Sequence, residues 1–292
     1  MHPSLDELTL QARRAASPAV ARGILAEAQE LFRNGLDHGE SAAELAGWYS
    51  RTLQEWSRSP AVEELLDGAR LHFTGSVARA EAIPTDAVSW IIVGDTTAAN
   101  AALLELTADL EVGGLYDAGT SELWQAWAQR AVEEQDVAVI ALAVDAGLLS
   151  DPAVADQLIA PSLAQLPPAL RLAEGLPDQD SPVDVSGTLL APAVAVARWA
   201  GLAAGSPRGT TLERLTAARE KDILTADEAA ALGQAWSTGL GMELRSWRHG
   251  TWGQEETMRS LPALDRSAYG AAARLVSVAL RSIAGRHGIA LP

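Results

Sequence analysis

Strand-like runs are confined to the middle of this chain. RLHFTG at 70–75, VSWIIVG at 88–94 and VAVIALAV at 137–144 are short, apolar and rich in β-branched residues, which suits strands buried on at least one face. On either side the signals are helical. Upstream, Ser4 with Glu7 and Ser41 with Glu44 have capping-box spacing, and Ser59-Pro60 sets an N-cap before a proline at the first helical position. This pattern predicts about three helices over residues 3–66. Residues 97–111 and 120–134 read as helices between the second and third apolar runs. From Asp151 onward strand signals vanish. Thr210/Glu213 and Thr225/Glu228 again have capping-box spacing and should open helices, prolines at 161, 167, 168, 177 and 182 punctuate the first part, and PDQDSP at 177–182 reads as a solvated loop. The order is helical, α/β, helical: an α+β class in three segments, 1–66, 67–152 and 153–292.

With 292 residues and 48% apolar content, the chain can bury the core of one large domain or two ordinary ones. A net charge of −16 argues against a nucleic-acid partner, because phosphate backbones are held through clustered Lys and Arg. The absence of cysteine excludes disulfides and thiolate metal sites. MHPSLDELTLQARRAA at the start lacks the apolar core of a secretory signal, and the longest apolar stretch, near 189–204, is interrupted by Pro192 and Arg198. No membrane insertion and a cytoplasmic setting are expected.

The stretch that carries chemistry is FTGSVARAEAIPTDAVSW, residues 73–90. Gly75 lets backbone approach a phosphate closely, and Ser76 supplies a hydroxyl and a backbone N–H at the start of a helix. Asp86 is expected to open a strand, where alternation would place Asp86, Val88 and Trp90 on one face, with positions 86 and 88 roughly 6 to 7 Å apart. Two carboxylates at that spacing would serve one metal pair. Here the second position is Val88.

These residues resemble the nucleotidyltransferases related to the protein-PII uridylyltransferase: Gly75, Ser76, Arg79, Glu81, Thr85 and Asp86 match the family pattern, and Val88 stands where that family has a second aspartate. VIALAVDAGLLSD is similar to the family's later strand, with Asp145 at the third carboxylate and Gly147 in place of an arginine. VDVSGTLLAPAVAVARWAGL, TTLERLTAAREKDILTADEAAALGQAW, ELRSW and LPALDRSAYGAAARLV resemble its helical substrate-binding domain. The resemblance implies a polymerase-beta-like nucleotidyltransferase domain flanked by helices. It also implies phosphate or nucleotide contacts by Gly75, Ser76 and Arg79, and catalytic and Mg²⁺-binding roles for Asp86 and Asp145.

Structural alternatives stand beside these roles. Asp86 equally reads as a turn carboxylate bonded to backbone N–H groups, Asp145 as a turn residue before Gly147, and Arg79 and Glu81 as a pair closed on each other at the surface. Trp124 and Trp127 have helical spacing and read as a packed stripe, and His72 as a packed histidine. Two functions follow. One is a nucleotidyltransferase-like signalling protein with a degenerate metal site, able to hold a nucleoside triphosphate and acting through a protein partner. The other is an active enzyme moving a nucleotidyl group to a protein or small-molecule hydroxyl. Val88 favours the first.

Overall fold

The computed structural model describes residues 2–94, 97–108, 112–117, 124–168, 172–173, 176–253 and 256–291. The chain divides into two units, Met1–Leu149 and Ser150–Pro292.

Four helices open the first unit: α1 (Pro3–Arg13), α2 (Pro18–Asp37), α3 (Ala42–Trp56) and α4 (Pro60–Leu66). The Ser4/Glu7 capping box does not form. Pro3 begins the helix two residues earlier than a Ser4 cap would, and the His2 ring nitrogen takes the capping role by accepting the Ser4 N–H. Ser41 and Ser59 stand at N-caps, as their spacing predicts, but neither side chain makes the capping bond. Tryptophan holds this bundle together: the Trp48 indole N–H donates to the Leu5 carbonyl at 2.7 Å and that of Trp56 to the Ala21 carbonyl at 3.0 Å, both fully buried. Each ring adds a large apolar area while its one polar atom is satisfied.

The mixed part follows as β1 (Arg70–Thr74), α5 (Gly75–Ala78), β2 (Val88–Val93), α6 (Thr97–Leu106), β3 (Val112–Asp117), α7 (Trp124–Glu134) and α8 (Val137–Asp145). The sheet order is β1-β2-β3, with β1 antiparallel and β3 parallel to β2, and a register shift at Val88/Ser89. One expectation is overturned: VAVIALAV is helix α8, and the third strand is VGGLYD. Asp136 caps α8 by accepting the Val139 N–H at 3.1 Å, alanines at 138, 141 and 143 favour the helix, and Ile140, Ala143 and Val144 are buried. Trp127 packs half-buried against Ile91 and Val93, while the Trp124 side chain lies outside the described set.

The second unit starts with a 3₁₀ turn, Pro152–Val154, and α9 (Ala155–Leu163). It continues through β4 (Leu172–Ala173), β5 (Leu176–Pro177), β6 (Pro182–Val183) and a π-helical turn, Ser186–Leu190. Then come α10 (Ala191–Ala203), α11 (Thr211–Glu220), α12 (Ala226–Arg248), β7 (Glu256–Thr257) and α13 (Ala263–His287). The unit is mainly helical, as expected, but not purely so: β4 pairs with β5, and β6 with β7, in two-residue antiparallel ladders. Both predicted capping boxes form. Thr210 and Glu213 exchange side-chain and backbone bonds at the head of α11, and Thr225 and Glu228 do so at the head of α12. The Glu228 carboxylate, only 3% exposed, also receives the Arg286 guanidinium from the end of α13, at 2.5 and 3.2 Å. Gly201 allows α10 and α11 to approach closely, since a Cβ there would stand 2.9 Å from that of Arg214.

Candidate functional site

In the first unit the candidate residues gather around the short helix α5. Gly75 has φ +63°, a conformation that disfavours any side chain, and the space over its Cα is open for 4 Å. Around it the backbone is closed: the Arg79 N–H bonds to the Gly75 carbonyl and the Glu81 N–H to the Ser76 carbonyl. Gln54 of α3 donates to the Val77 carbonyl at 3.0 Å, and the Ser50 hydroxyl accepts the Ala82 N–H at 2.9 Å. Thr74 Oγ1 donates to the Leu142 carbonyl of α8. The glycine-serine turn is therefore gripped from both sides, by α3 and by α8.

Asp86 does not open β2, which begins at Val88. It ends a turn whose second residue is Pro84: the Asp86 N–H bonds to the Ile83 carbonyl, and Asp86 Oδ2 accepts the Ile83 N–H at 3.1 Å. Strand alternation therefore does not relate it to Val88, which is buried at 3% exposure. Ser76 lies near enough to the Asp86 carboxylate to favour its charged form. Burial raises the Asp86 pKa above its ordinary 3.8, against the opposing pull of the Ile83 N–H, the Ser76 hydroxyl and the Arg79 charge.

Arg79 and Glu81 pair with each other, but inside the protein rather than at its surface. Arg79 Nε donates to Glu81 Oε2 at 3.0 Å and Nη1 to Asp145 Oδ2 at 2.6 Å, with the Arg79 side chain 9% and the Asp145 side chain 1% exposed. Ala80, between the first two, has φ +60°, which turns the chain so that residues 79 and 81 meet. Burial works against the guanidinium charge, yet the two carboxylates outweigh it and hold its pKa above the usual arginine value. Asp145 thus sits at the end of a helix, not a strand, and its carboxylate is enclosed by this pairing instead of opening onto a cleft. His72 is half-buried on β1, and burial, aided by Arg70, lowers its pKa.

Among the described residues, no group of three or more His, Asp or Glu side chains is placed to hold a metal ion, and no helix is long and apolar enough to cross a membrane. The donor set does not fit a magnesium pair. Asp145 is engaged by a guanidinium and Val88 brings no oxygen, which leaves Asp86, with one backbone N–H on its carboxylate, as the one of the three positions with capacity for a cation.

The second unit holds a cavity of about 430 Å³ that sequence reasoning did not locate. Its walls come from residues 183–185, the last turns of α12, the turn at 251–253, β7 and the start of α13. Three of the segments quoted above, VDVSG, ELRSW and LPALDR, converge on it. Arg245 Nη2 bonds to Asp265 across the wall at 2.6 Å, Ser246 Oγ lies 3.0 Å from Thr251 Oγ1, and Trp252 is 42% exposed.

No curated protein matches the chain. Residues 155–285 match the family model of the putative nucleotidyltransferase substrate binding domain, which makes the second unit similar to that domain and supports a nucleotidyltransferase-related family for the chain.

Proposed function

We propose that this chain is a nucleotidyltransferase-like regulatory protein with a degenerate metal site in a polymerase-beta-like first unit. In this reading Gly75 and Ser76 retain affinity for a nucleoside triphosphate, and the output is contact with a protein partner instead of nucleotidyl transfer. The observation that carries it is the Arg79–Asp145 pair. A carboxylate closed on an internal guanidinium at 2.6 Å would have to give up that partner before it could hold a metal ion. Val88 supports the same reading, because an apolar, buried side chain stands where the resemblance calls for a second metal carboxylate. A mixed sheet with the glycine-serine turn between its first two strands, together with the family match over 155–285, supports the transferase ancestry. The nearness of Asp86 to Ser76 favours a second reading, an active transferase of the protein-PII uridylyltransferase kind, since it keeps one carboxylate beside the turn expected to hold phosphate.

One comparison separates the two readings: Mg²⁺-dependent nucleotide affinity and pyrophosphate release for the natural chain, Asp86→Ala and Val88→Asp. The proposal expects binding without appreciable release by the natural chain. Robust release that Asp86→Ala abolishes would establish the enzyme and overturn it.

A further inference from the structure

We infer that the cavity of the second unit is a recognition site for an organic cation, a ligand presenting a guanidinium or primary ammonium group. This deepens the reading of that unit as a substrate-binding domain and depends on it, but not on the state of the first unit's metal site. At about 430 Å³ the cavity has the size of a small-ligand site. Its lining carries more acid than base. Asp184, Glu256 and Asp265 arrive from three separate stretches of chain, beside His249 and Arg245, the latter closed on Asp265 at 2.6 Å. A cationic group entering this partly enclosed space meets an excess of acidic side chains.

Two further features give the cation a shape. Trp252 lines the cavity while remaining 42% exposed, and an indole face attracts ammonium and guanidinium groups. Met242 and Leu261 supply apolar wall against which an alkyl stem packs. Asp184 Oδ1 accepts the Gly187 N–H at 2.7 Å and Glu256 Oε1 a long 3.5 Å bond from Ser246; a carboxylate accepts about four hydrogen bonds, so both keep capacity for a ligand. The same charges repel a triphosphate. An anionic nucleotide at Gly75–Ser76 and a cationic ligand in this cavity therefore belong to sites of opposite polarity.

The test is calorimetric titration of the full chain at low ionic strength with four probes: N-acetylarginine methylamide, its neutral isostere N-acetylcitrulline methylamide, agmatine and ATP. The arginine probe is expected to bind at least tenfold more tightly than the citrulline probe, with affinity falling as salt rises. Asp184→Asn and Glu256→Gln should each weaken it severalfold, Trp252→Ala should weaken it, and Trp252→Phe should largely preserve it. All four variants should leave ATP affinity unchanged, so failure at this cavity is distinguishable from failure of the nucleotide site. Agmatine, which lacks backbone amides, separates a free small molecule from a peptide side chain as the source, and tight binding of either cation supports the inference. Equal binding of the charged and neutral probes, no binding of either cation, or cation binding indifferent to Asp184→Asn and Glu256→Gln would overturn it.

Discussion

The Arg79 guanidinium and the Asp145 carboxylate, 66 residues apart in sequence, meet at 2.6 Å with side chains 9% and 1% exposed. Removing one partner of such a pair leaves the other buried without it. Asp145→Ala is therefore expected to destabilise the first unit, though by less than the about 3–5 kcal/mol of a fully orphaned buried charge, because Glu81 still pairs with Arg79. Asp145→Asn, whose amide oxygen still accepts from Arg79, should cost less. In a double-mutant cycle, Arg79→Ala with Asp145→Ala should cost less than the two single changes added together. Additive losses in denaturant unfolding would mean that the pair contributes no coupling.

Asp86 should show the opposite economy of charge. Burial holds its folded pKa above the ordinary 3.8, so ionisation is harder in the folded chain than in the unfolded one. That penalty is absent at low pH and full once the pH exceeds the raised value. Asp86→Asn keeps an acceptor for the Ile83 N–H and removes the penalty. Its melting temperature should exceed that of the natural chain at neutral pH, with the gain vanishing toward about pH 3. A melting temperature below the natural one at neutral pH would contradict this.

Glu228 runs the other way. Its own burial raises its pKa, but the Thr225 N–H, the Ser282 hydroxyl and Arg286 outweigh that and hold the folded value below the ordinary 4.5. Its contribution is present above that value and is lost as the pH falls through the lowered one. Glu228→Gln should therefore destabilise the second unit at neutral pH, and the difference from the natural chain should narrow in acid. Thr225→Ala and Thr210→Ala should each cost about 1 kcal/mol from loss of the cap. Thermal melts across pH check all three.

Two neighbouring residues with positive φ invite opposite substitutions. Gly75→Ala meets no steric obstacle but places a side chain at φ +63°, so a loss of about 1 kcal/mol is expected, together with weaker nucleotide binding if the proposed site at Gly75–Ser76 holds. Ala80→Gly, at φ +60°, should be neutral or stabilising by up to about 1 kcal/mol and should leave binding intact. Paired melts and nucleotide titrations separate conformational strain from a lost ligand contact.

The helix starts at Thr210 and Thr225 were readable because a capping box is completed within four residues of chain. Ser4 misled because His2 and Pro3 offered a competing start. VAVIALAV was misread because a short buried helix and a short buried strand present the same continuous apolar run; Asp136 just before it was the available helix signal. VGGLYD escaped because two glycines weaken a strand pattern. Within the candidate site, Gly75, Ser76 and Asp86 share one local loop and could be read together. The closure of Arg79 on Asp145 depends on how α8 packs against α5, and the cavity joins residues 183 to 265 by tertiary packing, which spacing does not encode.

The clasp between Glu228 and Arg286 bears on where this protein can be cut. The family match stops at residue 285, one position short of the arginine that reaches back to the head of α12. A fragment expressed to the limits of the match would retain the cavity walls and both capping boxes, yet leave a buried carboxylate without its cation and the Ile223 carbonyl without its donor. The piece that resemblance delimits is thus shorter than the compact unit Ser150–Pro292, and ligand studies on the isolated second half are better served by a boundary beyond Gly288, where α13 reaches its left-handed cap.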